Sequence, residues 1–162
     1  MPKTEEIKIK YKVFNRSDKI NTTDELLLKN AENAVKNAYA PYSDFHVGAA
    51  VRLKNGKIVT GNNQENAAYS SGLCAERVAV FSAVSQFPTI PISAIAICAA
   101  KGKQKPTVPV PPCGACRQVL LEYEEYFKSP IKVLIRNGKT KKIIVIDSVA
   151  DLLPFKFNKS FL

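Results

Sequence analysis

Two hydrophobic periods alternate along the chain, and their alternation predicts its elements. From Thr22 onward, Leu27, Ala31, Ala34, Val35 and Ala38 fall on one helical stripe. Thr22 and Glu25 have the spacing of a capping box, and Pro41 sets the downstream limit of this first helix. In "FHVGAAVRLKNGKIVTGNN" two β-type runs flank Asn55-Gly56, the signature of a hairpin. A second helix fits "CAERVAVFSAVSQ", Cys74 to Gln86, with Val78, Ala79 and Phe81 available to the interior. "ISAIAICAA", Ile92 to Ala100, is a short continuous apolar run, as in a strand buried on both faces. After the loop "KGKQKPTVPVPP" a third helix fits Cys113 to Phe127. "IKVLIR" and "KKIIVI", separated by Asn137-Gly138, read as two strands, and "SVADLLPF" as a short helix stopped by Pro154.

These elements predict an α/β protein: a layered domain with a central mixed β-sheet of about five strands flanked by helices. Residues 1–21 are polar and lysine-rich, and read as an N-terminal extension ahead of one catalytic domain over 22–162. Within the extension, "KIKYKVF" alternates at period two, which fits a short edge strand or a loosely held arm.

Composition narrows the classes. A chain of 162 residues is one domain with room for a real core. No apolar run reaches the length of a bilayer span, and the start "MPKTEEIKIKYKVF" has no apolar signal-peptide core. The expectation is a cytoplasmic, reducing home, where cysteines serve metals or catalysis more often than disulfides. The formal charge of +10 favours anionic neighbours. It comes from 19 lysines against 5 arginines, scattered through the chain, so a dedicated nucleic-acid surface is disfavoured.

The candidate chemistry lies in "GLCAER" (72–77) and "PCGACRQ" (112–118). Cys74, Cys113 and Cys116 all fall at predicted helix starts, where free N–H groups and the helix dipole favour thiolate. Three thiolates on one zinc sum to −1, and Arg77 and Arg117 are near enough in sequence to offset that charge. Three protein ligands leave the fourth position of tetrahedral zinc for water, the mark of a catalytic rather than a structural site. Glu76, two residues past Cys74, is placed to take a proton without binding metal. A structural site completed by Cys98 or His46 is the alternative, although Cys98 reads as a buried strand thiol and His46 as a strand residue. A redox pair of Cys113 and Cys116 would leave Cys74 and Glu76 unexplained. Downstream of the hairpin, Asn63 and Glu65 have period-two spacing, so both point one way. An amide beside a carboxylate suits a sugar hydroxyl.

Longer stretches carry a family likeness. "AYAPYSDFHVGAAV" (38–51), "GNNQENAAYSSGLCAERVAVFSAV" (61–84) and "PPCGACRQVLLE" (111–122) resemble the small, homotetrameric, zinc-dependent cytidine deaminases of pyrimidine salvage. The resemblance covers Thr22 to the C-terminus. It implies one Zn²⁺ per subunit on Cys74, Cys113 and Cys116, with Glu76 as proton shuttle and Arg77 hydrogen-bonded to the cysteine sulfurs. It implies that Asn63 and Glu65 hold the ribose 3′-hydroxyl and that Phe45 stacks beside the pyrimidine. Ala75 would offer its N–H to the base carbonyl, Phe157 would enter a neighbouring subunit's pocket, and Tyr69 would reach a subunit interface. The implied reaction is hydrolytic deamination of cytidine and 2′-deoxycytidine. A deaminase of another cytosine-containing substrate, an aminonucleoside antibiotic or a polynucleotide, is the alternative. Three features depart from the family pattern: the 1–21 extension, the long basic loop at 101–112, and Pro111.

Overall fold

One mixed sheet organises the computed structural model, which describes residues 2–102, 108–136 and 138–162. Its strands are β1 (Lys12–Phe14), β2 (Phe45–Leu53), β3 (Ile58–Asn62), β4 (Ile92–Lys101), β5 (Lys132–Arg136) and β6 (Ile143–Ile146). They lie in the order β1-β6-β5-β4-β2-β3. Only β4 and β5 run parallel among these neighbours; the other pairs are antiparallel. Among the described residues the sheet therefore has six strands, not about five. The added one is β1, from the alternating stretch in the extension, which pairs antiparallel with β6 at the sheet edge.

Strand β4 shows why a continuous apolar run suits the centre. Its even residues Ala94, Ala96 and Cys98 face α1 (Thr22–Ala34), where they meet Leu27, Leu28 and Ala31. Its odd residues Ile95 and Ile97 face α2 (Ala75–Gln86) and α3 (Gly114–Tyr126), where they meet Val80, Ala83, Leu120 and Leu121. Period two thus divides one strand between two cores.

Local details differ from the sequence reading. Asn21, not Thr22, caps α1: its Oδ1 accepts from the Asp24 amide at 2.8 Å. The Glu25 side chain is drawn away to Arg136, so no capping box forms. On α2 the interior takes Ala75, Ala79, Val80 and Ala83, while Phe81 lies 40% exposed. Small residues are needed there because α2 presses close on the sheet, and the bulky Phe81 ring turns outward against Tyr123. The short C-terminal helix is a 3-10 turn, Val149–Leu152. Residues 103–107 of the basic loop and Asn137 of the predicted turn lie outside the described residues. Among the described residues no helix is long and apolar enough to cross a membrane.

Candidate active site

Two chain reversals build the site. After β3 the chain enters α2 with Cys74 as N-cap, and after β4 it enters α3 with Cys113 as N-cap. The first helical bonds are Val78 N to Cys74 O, 3.1 Å, and Arg117 N to Cys113 O, 3.0 Å. Amides ahead of them stay outside each helix's own bonding, so both positive dipole ends converge on the sulfurs.

The three sulfurs lie within 4.8 Å of one another. Cys74 Sγ is 3.8 Å from Cys113 Sγ, and Cys113 Sγ is 3.5 Å from Cys116 Sγ. These are not disulfide separations. Tetrahedral zinc with bonds of about 2.3 Å spaces its sulfurs about 3.8 Å apart, so the triad fits that ion. Neither Cys98 nor His46 joins it. Cys98 is buried on the α1 face, its thiol donates to the Leu28 carbonyl, and burial pushes its pKa up to about 12. His46 pairs with Asp44 at 3.2 Å. A structural four-ligand site from these residues is thereby removed, and the set stays open on one side.

The charges divide within the site. A hydrogen bond from Cys116, with further support from Arg77 and Cys113, holds the Cys74 thiol down to about 5 against the effect of burial. That same bond raises Cys116, which is fully buried. Arg77 also donates to the Gly72 carbonyl at 3.4 Å. Arg117 instead fastens the cysteine loop: Nε donates to Pro112 O at 2.8 Å and Nη1 to Leu152 O at 3.2 Å. Glu76 is only 5% exposed, an unusual place for a carboxylate. Burial raises its pKa, and the neighbouring Cys74 adds to the rise. A carboxyl tuned upward beside a triad that could hold a metal is suited to accept and release protons.

A cleft of about 520 Å³ opens beside the triad. Cys74 and Arg77 line one part, and Asn63, Glu65, Tyr42 and Tyr69 line the rest. Asn63 is buried, with Oδ1 accepting from Val47 N at 2.7 Å and Nδ2 donating to Phe45 O at 2.9 Å. Its amide keeps one N–H and one lone pair to spare. Glu65 Oε2 accepts from Tyr42 N at 2.9 Å and Ser43 N at 3.3 Å, and Oε1 accepts from the Ser43 hydroxyl. Of about four lone-pair positions on a carboxylate, one on Oε1 remains. The free N–H of Asn63 and the free lone pair of Glu65 Oε1 together offer a donor and an acceptor, the complement of a hydroxyl group. Phe45 is half-buried at the start of β2, and Ala75 is fully buried at the start of α2. Tyr69 is 81% exposed in a 3-10 turn and meets Tyr42 edge-on at 6.1 Å. Phe157 is not among the cleft residues; its ring is 57% exposed and stacks on Phe161.

Tyr42 and Ser43 were not singled out by sequence. Both sit in a turn that ends in Asp44 at φ 53, a left-handed residue locked by Gly102 N donating to Asp44 O. The "YSD" stretch before a strand is the signal that points to such a turn.

Three thiols at two helix starts, with a buried glutamate beside them on a layered α/β sheet, are the arrangement of the zinc-dependent nucleobase deaminases. Residues 21–127 match the family described as cytidine and deoxycytidylate deaminase zinc-binding region. A cytidine deaminase of Halalkalibacterium halodurans is 41% identical over 133 residues, covering 82% of this chain and 92% of that protein. The solved structure of a Burkholderia pseudomallei cytidine deaminase superposes with a TM-score of 0.71 at 40% identity, covering 82% of this chain and 98% of that one. A blasticidin-S deaminase of Bacillus cereus is 30% identical over 139 residues, covering 82% and 93%. The chain belongs to the cytidine and deoxycytidylate deaminase family.

Proposed function

We propose that this enzyme hydrolyses cytidine and 2′-deoxycytidine to uridine, 2′-deoxyuridine and ammonia, as a step of pyrimidine salvage in the cytoplasm. The observation that carries the reading is the pairing within one cleft. At one end the cleft reaches Cys74, behind which lie Cys113, Cys116 and the buried Glu76; at the other, Asn63 keeps a donor free and Glu65 an acceptor.

Cys74, Cys113 and Cys116 would hold one zinc ion per subunit, which would supply a water acidic enough to serve as nucleophile near neutral pH. Glu76 takes the proton that the nucleophile gives up as it adds to C4 of the base. It returns that proton to ring N3, then takes the second proton from the new C4 hydroxyl and passes it to the amino group; the C4–N bond breaks, ammonia leaves and C4=O forms. The raised pKa of Glu76 supports this shuttle, because a more basic carboxylate is a better acceptor for the proton of the nucleophile. Arg77 tempers the thiolate charge through its bond to Cys74. The Ala75 N–H, at the first helical position, meets the base carbonyl, and Phe45 stacks beside the ring.

Asn63 and Glu65 bind the sugar: a hydroxyl donates to Glu65 Oε1 and accepts from Asn63 Nδ2. This pairing favours a nucleoside over the antibiotic or polynucleotide alternatives. Self-association into a homotetramer accompanies this reading, with Tyr69 at a subunit interface and Phe157 entering a neighbour's pocket. The exposure of both rings supports it. The test follows loss of the cytosine absorbance band when zinc-loaded protein meets cytidine, 2′-deoxycytidine, blasticidin S or a short cytosine-containing oligonucleotide. Turnover of the two nucleosides is expected; turnover of only the antibiotic or the oligonucleotide overturns the assignment.

A further inference from the structure

We propose that Ser43 is a positioning residue that aims Glu65 at the sugar and ties that aim to the placement of Phe45. The inference rests on Glu65 being the sugar acceptor, as proposed above.

The Ser43 hydroxyl has one hydrogen to give, and gives it to Glu65 Oε1. Its oxygen accepts the Phe45 amide at 3.0 Å. Glu65 Oε2 is already filled by the Tyr42 and Ser43 amides. The serine proton therefore decides which lone pair of Oε1 stays open, and in which direction. Without it Oε1 keeps two lone pairs, and the carboxylate can turn about its remaining contacts. At the same time Phe45 is held from both sides. Its amide rests on Ser43, and its carbonyl accepts from Asn63, the partner of Glu65 in sugar binding. One hydroxyl thus joins the group that meets the sugar to the residue that meets the base. Asp44, left-handed at φ 53 between them, leaves the turn little freedom to compensate.

The test compares the zinc-loaded wild type, Ser43→Ala, Ser43→Thr and Glu65→Gln on cytidine and on 3′-deoxycytidine, with thermal unfolding recorded for each. Ser43→Ala is expected to raise KM for cytidine about tenfold with kcat within about twofold, the effect of one charge-assisted hydrogen bond. On 3′-deoxycytidine, which has no hydroxyl for Glu65 to accept, the same variant is expected to lose clearly less, about threefold in kcat/KM, because only the support of Phe45 is then removed. Ser43→Thr, which keeps the hydroxyl, is expected to restore KM for cytidine. Equal losses on the two nucleosides, a fall in kcat with KM unchanged, or failure of threonine to rescue a folded protein would each overturn the role of Ser43. Glu65→Gln separates the two ideas. If it fails to distinguish the two nucleosides, the sugar role of Glu65 falls and that of Ser43 with it. If it distinguishes them and Ser43→Ala does not, only Ser43 is misassigned.

Discussion

Gly61 of β3 lies backbone to backbone on Ala75, the first residue of α2. A Cβ on the glycine would stand 2.7 Å from the Ala75 carbonyl oxygen and closer still to the Ala79 nitrogen. Real Cβ atoms do not approach that near, so this contact fixes how low α2 sits on the sheet. The same turn of helix carries Cys74 and Glu76. Gly61→Ala is expected to lift this end of α2, destabilise the fold by about 1–3 kcal/mol, and reduce both zinc content and turnover. Calorimetry, metal analysis and a cytidine assay on the same preparation check the three effects. Wild-type zinc content and activity in the variant contradict the expectation.

Glu76→Gln keeps the shape of the side chain and removes its ability to carry a proton. It is expected to fold and hold zinc as the wild type does, while kcat for cytidine falls by about 10²–10⁴. Metal content and kcat measured together make the check, and near-normal turnover sinks the proton-shuttle role.

Asp24 ties the start of α1 to two strands. Its carboxylate pairs with Arg52 at 2.8 Å and Lys132 at 3.0 Å, and Asn21 donates to it at 2.8 Å. Burial by itself would raise its pKa; the hydrogen bonds from Asn21, Lys132 and Arg52 outweigh burial and hold it below the ordinary 3.8. A depressed carboxylate contributes stability that is whole above its unfolded pKa and is lost as pH falls through the folded one. The wild type should therefore lose this contribution from near 3.8 downward. Asp24→Asn is expected to be less stable at neutral pH by about 3–5 kcal/mol, with a flatter stability profile in the acid range. Urea unfolding at neutral and acid pH measures both.

Phe155 combines φ 55 with a side chain 95% exposed. An aromatic residue in the left-handed region is strained, and here little packing repays the strain. Phe155→Gly is expected to raise stability of the subunit by about 1 kcal/mol. A lower midpoint in denaturant, with unchanged slope, contradicts this.

Chelation of the metal is expected to abolish turnover and lower the unfolding temperature, since an ion bound only to the folded triad stabilises it by mass action. Restored zinc should recover both. A midpoint unmoved by chelator, in protein shown to have lost its zinc, excludes a stabilising role for the triad.

Legibility in the sequence followed the reach of each interaction. Cys74 and Glu76 were readable because both lie in one helical turn, and Cys113 and Cys116 because their spacing is local. Strand β4 was readable from its apolar run alone. Strand β1 was ambiguous because three residues form a strand only when β6, some 130 positions away, offers its edge. At the start of α1 two caps competed locally, and the choice fell to Asn21 once Glu25 had an arginine partner across the sheet. The "YSD" stretch signals a turn at Ser43 but not the residue's role, because that role comes from Glu65, 22 residues along the chain.

Cys74 and Cys113 are 39 residues apart in sequence and 3.8 Å apart at their sulfurs. All of α2 and β4 lies between them. A chain folded only as far as α2 owns one thiol, and the segment that includes α3 owns the other two. Neither portion carries the whole triad. Metal capture by the whole triad would therefore mark the moment at which the central strand has been inserted and both halves have docked, and would make the ion an indicator of completed assembly as well as a reagent.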